Sequence, residues 1–271
     1  LARVGVGGVD GGGVVEVRGA TSSSIAAVRH RARAGFIGAL VVALVLGVAT
    51  IVLDTTASST YAITPGLVLR VDPQLRGIRI PPPLQDGGVD MVDVRLEQLT
   101  NLGALIERWS GSSSLVSAAD LGLTGGANLA TYQREDRRLM EQSVQMAVRA
   151  AREEFRVRFH RGLGGDVTVA HGNIGGPSAG LAQGLAIVDR VLGGSLSGGR
   201  IIVASGTLAA SGAVGPVGGL SAKLDAVERS RATIFLVPRS ELGAVVAQRP
   251  HAVTVIGVAT LDGAVSALEA R

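Results

Sequence analysis

The chain contains no cysteine. Disulfides, cysteine nucleophiles, zinc–cysteine sites and iron–sulfur clusters are excluded together. Aromatic residues are only 3%, too few for the stacking platform on which nucleic-acid binders lay bases. Charged residues are 18% against 46% hydrophobic, the opposite of a disordered composition. The 39 glycines follow no G-X-Y period, which excludes collagen. No G-x-x-x-x-G-K-[ST] pattern occurs, so the usual phosphate loop is missing. Lysine is nearly absent too. Of 26 basic side chains, all but Lys223 are arginine.

What remains is 271 residues, enough for one or two domains with a sizeable core. The net charge of +4 is concentrated at the start. Within residues 1–33, Arg3, Arg18, Arg29, Arg31 and Arg33 outweigh Asp10 and Glu16, and the rest of the chain carries only +1. That distribution reads as a topogenic signal and not as a nucleic-acid surface. Residues 34–53, AGFIGALVVALVLGVATIVL, form an uncharged apolar run of 20, about the length a helix needs to cross a bilayer. Arg29, His30, Arg31 and Arg33 precede it and Asp54 follows. The positive-inside rule then puts the N-terminus in the cytoplasm and residues 54–271 outside the cell membrane. A cleaved signal peptide is the rival reading, although its apolar core is usually about 7–15 residues.

Four segments follow from this pattern: a flexible tail (1–33), a transmembrane helix (34–53), an extracytoplasmic juxtamembrane region (54–132) and a catalytic-type domain (133–271). In the third, Thr64-Pro65-Gly66 and Pro81-Pro82-Pro83 are turn or extended signals. Leu67–Val71 and Val89–Leu96 alternate like strands, and Gly122–Ala127 reads as a loop. From 133 onward Leu139, Met140, Val144, Ala147, Val148 and Ala151 recur at helical steps. Short strands and helices then alternate to the end, which predicts a mixed α+β domain.

Two motifs carry chemistry. In Gly175-Gly176-Pro177-Ser178-Ala179-Gly180-Leu181, Ser178 falls at a predicted helix start, where unpaired N–H groups and the helix dipole favour negative charge. A nucleophile there could have its oxyanion stabilised. An ordinary serine N-cap and a phosphate cradle are the other readings. The second motif, Gly212-Ala213-Val214-Gly215-Pro216-Val217-Gly218-Gly219-Leu220-Ser221-Ala222-Lys223-Leu224, holds the sole lysine among apolar neighbours. Burial would lower its pKa, and a neutral amine can take a serine proton, giving a Ser178–Lys223 dyad. Arginine could not do this. A leftover surface lysine is the bland alternative. A Ser-His-Asp triad through His171, on the loop before Ser178, is the other catalytic one.

Gly-Pro-Ser-Ala-Gly, followed 45 residues later by the lysine of Gly-x-Val-x-Pro-x-Gly-Gly-x-x-x-Lys-Leu, resembles the proteolytic domain of Lon-type serine proteases. The stretch Met140–Ala147 looks like the M-x-x-S-x-x-x-A helix upstream of that family's nucleophile. Ala232–Pro238 looks like its late strand ending in proline. The resemblance covers residues 133–271 and implies a Lon-like fold preceded by one transmembrane helix. It implies Ser178 as nucleophile and Lys223 as general base, and Ser205 stands where the family has a lysine-supporting hydroxyl, usually threonine. N–H groups around Gly176–Ala179 are the expected oxyanion donors. The anchor and Tyr61–Gly66 resemble the membrane-bound YlbL-like branch. That branch carries a PDZ domain between helix and nucleophile, whereas only 35 residues separate Ser143 from Ser178 here. Gly175 stands where Lon usually has an acid, and no ATPase module is present. The expected function is ATP-independent serine endopeptidase activity on protein or peptide substrates at a membrane, with no cofactor, no metal and no nucleic acid, and with a homo-oligomer left open. A non-catalytic Lon-fold module for peptide binding or assembly is the alternative.

Overall fold

The computed structural model describes residues 22–78, 87–111, 114–121, 129–170 and 176–271. Expectations for Pro81–Pro83, Gly122–Ala127 and His171 lie outside them. The chain divides into two units, residues 1–53 and 54–271.

The first unit contributes α1 (Ser22–Thr55), one continuous helix. Its stretch Phe36–Thr55 has a mean hydropathy of 2.9, is long and apolar enough to cross a membrane, and is not buried in protein. A core helix would be. The helix starts well before the apolar run, so residues 22–33 of the expected flexible tail are helical. The reason is local: between Ser22 and Ala34 there is no Gly or Pro, and Ala and Arg are strong helix formers.

The second unit is a mixed α+β domain. In chain order it has β1 (Ala57–Arg70), β2 (Leu75–Arg76), β3 (Gly88–Thr100), α2 (Asn101–Ser110), β4 (Ser114–Ser117), α3 (Leu129–Val157) and β5 (Thr168–Val169). Then come α4 (Gly180–Val191), β6 (Ile201–Ala204), β7 (Thr207–Leu208), β8 (Val214–Gly215), α5 (Leu220–Glu228), β9 (Ile234–Pro238), α6 (Leu242–Val246), β10 (Thr254–Val258) and α7 (Leu261–Glu269). Six strands form the main sheet in the order β10-β9-β6-β3-β1-β4. β10, β9, β6 and β3 run parallel; β3, β1 and β4 are antiparallel.

Side chains alternate across this sheet, as the period of two requires. Ile202, Ala204, Ile234 and Leu236 join one core with Met140, Val144, Ala147, Ala151 and Phe155 of α3, Leu181 and Leu185 of α4, and Leu261 and Val265 of α7. Val203, Phe235 and Val237 face the other way, with Leu224 and Val227 of α5 and Val245 of α6. Helices therefore cover both faces, and the near-continuous apolar runs of β6 and β9 follow from that.

The expected boundary between 132 and 133 is not a boundary of the fold. β3 pairs in parallel with β6, through Val89↔Ile202 and Met91↔Ala204, and so occupies the middle of the sheet. Nor does Pro65-Gly66 end a strand. β1 runs through it with a register shift between Pro65 and Val68. A Cβ on Gly66 would stand 2.5 Å from the Asp93 carbonyl oxygen, so glycine is what lets β1 lie this close to β3.

Truncating Leu236, fully buried on β9, to alanine should cost about 2–5 kcal/mol of unfolding free energy. Val246→Ala, at a half-exposed position, should stay within about 0.5 kcal/mol. Urea unfolding followed by circular dichroism measures both.

Candidate functional site

Ser178 sits in a 3-10 turn, Pro177–Ala179, that leads directly into α4. Three contacts hold this turn. Gly176 enters it at φ +92°, a conformation that favours glycine, and its N–H donates to the Asp136 carbonyl of α3 at 3.2 Å. The Ser143 hydroxyl, also on α3, donates to the Pro177 carbonyl at 3.2 Å. The Ser178 carbonyl accepts from Gly206 N–H at 2.8 Å, while Gly206 O accepts from Leu181 N–H at 3.0 Å. A Cβ on Gly180 would meet Ser143 Oγ and Leu208 N, both at 2.9 Å, so the helix start is packed too closely for a side chain there.

Ser178 is half-buried and does not cap α4: the N-cap residue is Ala179, with no side-chain cap hydrogen bond. Gly176 N–H is engaged by Asp136, which removes it from the expected oxyanion donors. Ala179 is buried within the turn.

Lys223 lies in the first turn of α5, where its N–H donates to Gly219 O at 3.0 Å. Gly219 caps that helix in the left-handed region, at φ +68°. The side chain is 2% exposed, and its Nζ donates to Ser205 Oγ at 3.1 Å. Ser205 itself is fully buried. It follows the last residue of β6, and its N–H donates to Leu236 O of β9 at 3.0 Å. Ser178 and Lys223 thus converge on adjacent residues: Gly206 holds the backbone of one and Ser205 the amine of the other. The Lys223 amine bonds to Ser205 and not to Ser178.

Burial pushes the Lys223 pKa from an ordinary 10.5 down to about 8, against the opposing pull of the Asp93 and Glu241 carboxylates. These acids were not evident in the motifs. Asp93 comes from β3. Burial raises its pKa although Val94 N–H, Lys223 and Arg95 all favour its charged form. Asp136, beside Gly176, is raised by burial and then by Asp93. The Tyr132 hydroxyl is raised by burial and by both acids. Glu241 Oε2 accepts the Val217 N–H at 3.2 Å, fixing the glycine-rich segment that delivers Lys223.

His251 is exposed beside Glu228, at 3.4 Å, and takes no part. Among the described residues no group of three or more His, Asp or Glu is placed to hold a metal ion. Two surface hollows, of about 450 Å³ beside Ile78, Leu163 and Val191 and about 510 Å³ beside Arg138, Gln142 and Thr168, include neither Ser178 nor Lys223. Ser178 and Lys223 sit at a packed junction of α4, α5, the end of β6 and the middle of β9. No protein-family model matches this chain, and no curated protein matches it in sequence.

The lysine makes a stability prediction with a definite sign. The unfolded chain keeps the Lys223 proton up to about 10.5, while the folded protein releases it near 8. Between those values the unfolded state binds more protons, so stability rises with pH. Below pH 8 both states are charged and the full burial cost of the cation is present. Comparing wild type with Lys223→Met removes the effects of other groups. The difference should shift by about 3 kcal/mol in favour of wild type between pH 7 and pH 10.5. A difference that stays flat would show the amine to be hydrated.

Proposed function

We propose that this chain is a membrane-anchored, ATP-independent serine endopeptidase of the Lon type, with Ser178 as nucleophile and Lys223 as general base. One observation carries the reading. The only lysine in the chain is buried, bonded to a buried serine hydroxyl, and brought to a pKa of about 8 at the junction that also holds Ser178. Every other basic side chain of this chain is arginine, which could not release a proton at that position, whereas a buried lysine can.

In the proposed reaction Ser178 Oγ attacks the carbonyl carbon of a substrate peptide bond as its proton passes to Lys223 Nζ. The tetrahedral oxyanion collapses, the C–N bond breaks, and Lys223 returns the proton to the leaving amine. Water, deprotonated by Lys223, then attacks the Ser178 ester. The acid product leaves, and the proton goes back to Ser178. Direct proton transfer from Ser178 needs a closer approach to Lys223 than the resting Lys223–Ser205 bond. Catalytic hydrogen bonds often shorten only when substrate is bound. Ser205 orients the amine through its hydroxyl.

The positive charge of Arg29, Arg31 and Arg33, just before the apolar run of α1, supports a cytoplasmic N-terminus with residues 54–271 outside. A second reading, a non-catalytic module for peptide binding or assembly, draws on the Lys223 bond going to Ser205 instead of Ser178. Covalent labelling of Ser178 by a serine-reactive activity probe separates the two.

Lys223→Arg should lose at least about 10²–10⁴ in peptidase rate, because a guanidinium stays protonated. Ser178→Ala should lose comparably, and the double variant should be little worse than either single one, since the pair acts as a unit. Wild-type kcat/KM should rise with pH on a limb near 8, set by the free amine, and ATP with magnesium should leave it unchanged. A folded Lys223→Arg protein with near-normal activity would sink the dyad.

A further inference from the structure

Helix α2 is amphipathic with its faces reversed. Leu102, Leu105, Ile106 and Trp109 recur at i, i+3, i+4 and i+7, the spacing that normally turns an apolar stripe toward a core. Here the buried residue of α2 is Ala104, on the other side of the helix. Leu105 is 61% exposed, Ile106 54% and Trp109 94%. Among the described residues of 54–271, the other exposed large hydrophobics are Leu67, Leu139, Val157 and Val246. They are scattered over β1, α3 and α6, and single exposed residues of that kind are normal. A helical stripe of three, ending in the chain's only tryptophan, is not.

The helix is well built, so this is not a frayed segment. Thr100 caps it by accepting from Gly103 N–H at 3.0 Å. Gly111 ends it in the left-handed region, its N–H donating to Glu107 O at 2.9 Å. Its first residue is fastened to Thr56, the residue that follows α1. Asn101 N–H donates to Thr56 O at 3.0 Å, Asn101 Nδ2 donates to Thr56 Oγ1 at 2.8 Å, and Ala57 pairs with Thr100. Thr56 follows Leu53 by three residues, which span at most about 11 Å. Whatever the orientation of α1, α2 therefore starts beside the point where the chain leaves its apolar run.

We infer that α2 is a second membrane element: an interfacial helix whose Leu105, Ile106 and Trp109 face enters the boundary between headgroups and acyl chains. The inference rests on the proposed anchor role of α1. Tryptophan is the side chain favoured at that depth, with an apolar body and one polar N–H. Glu107 and Arg108 cancel in charge, so the attraction is apolar. A neutral phosphatidylcholine surface suffices, and salt does not release the helix. The helix also fixes which side of the catalytic domain faces the bilayer, a restraint that a single α1 crossing does not supply.

The single tryptophan makes the test direct. The full chain is reconstituted in phosphatidylcholine vesicles with or without bromine on the acyl chains, and flotation reports insertion. Trp109 should lose most of its emission to brominated lipid, should emit at shorter wavelength than in water, and should resist acrylamide. Replacing both exposed neighbours, Leu105→Asp with Ile106→Asp, should return Trp109 to the aqueous phase while the chain still floats. If the chain floats but Trp109 stays open to acrylamide and untouched by bromine, the interfacial helix is wrong and the anchor stands. Protection from acrylamide without bromine quenching would mean that protein covers the stripe, which overturns the lipid assignment. A chain that does not float removes anchor and inference together.

Discussion

An amine out of reach of water is the constraint on which the rest of this site depends. Lys223 is dry on nearly every side, and a charged ammonium in such a place is costly unless it is paired and bonded. It has one hydroxyl partner and two carboxylates acting on it, and burial still wins, since the pKa falls to about 8 instead of rising. The balance matters more than either contribution. Stronger carboxylates would return the lysine to permanent charge, and weaker ones would let its pKa fall further and leave a weaker base. Ser205 can serve as partner because the end of β6 is itself held, through its N–H, by β9.

The sheet order explains how distant segments meet. Gly206 and Ser205 stand next to each other where β6 ends, so one strand terminus aligns both the turn that carries Ser178 and the helix that carries Lys223. β3, on the other side of β6, brings Asp93 to the same end. Residues 57–100 are therefore part of the site's electrostatics. Without β3, β6 would lose a parallel neighbour and Lys223 one of the charges that keep its pKa from falling further.

Some of this was legible in the sequence and some was not, for physical reasons. A serine in a glycine-rich turn and a lone lysine in an apolar stretch announce themselves, because unusual backbone and unusual composition are local signals. The alternation after residue 133 gave the helices and strands for the same reason. Asp93, Asp136 and Tyr132 gave no such signal. Each is an ordinary residue on its own element and becomes part of the site only when β3 and α3 pack beside the Ser178 turn. The placing of β3 in mid-sheet is long-range pairing, which no window of residues contains. Gly176 shows the limit at finer scale: glycine was expected there, but the direction of its N–H, toward Asp136, is set by the neighbouring helix.

The register of β1 against β3 also bounds where such a site can work. β1 begins at Ala57, next to the end of the apolar run, and Pro65 pairs with Val94 beside Asp93. Eight residues of strand cover at most about 27 Å. On the anchor reading, Asp93 and the lysine it acts upon can stand no further than roughly that distance from where the sheet leaves the membrane helix. The headgroup layer occupies about 5–8 Å of it on each side. On the proposed function, a substrate meets the site within about 20 Å of the bilayer surface. Strand length alone therefore keeps the proposed site close to the bilayer.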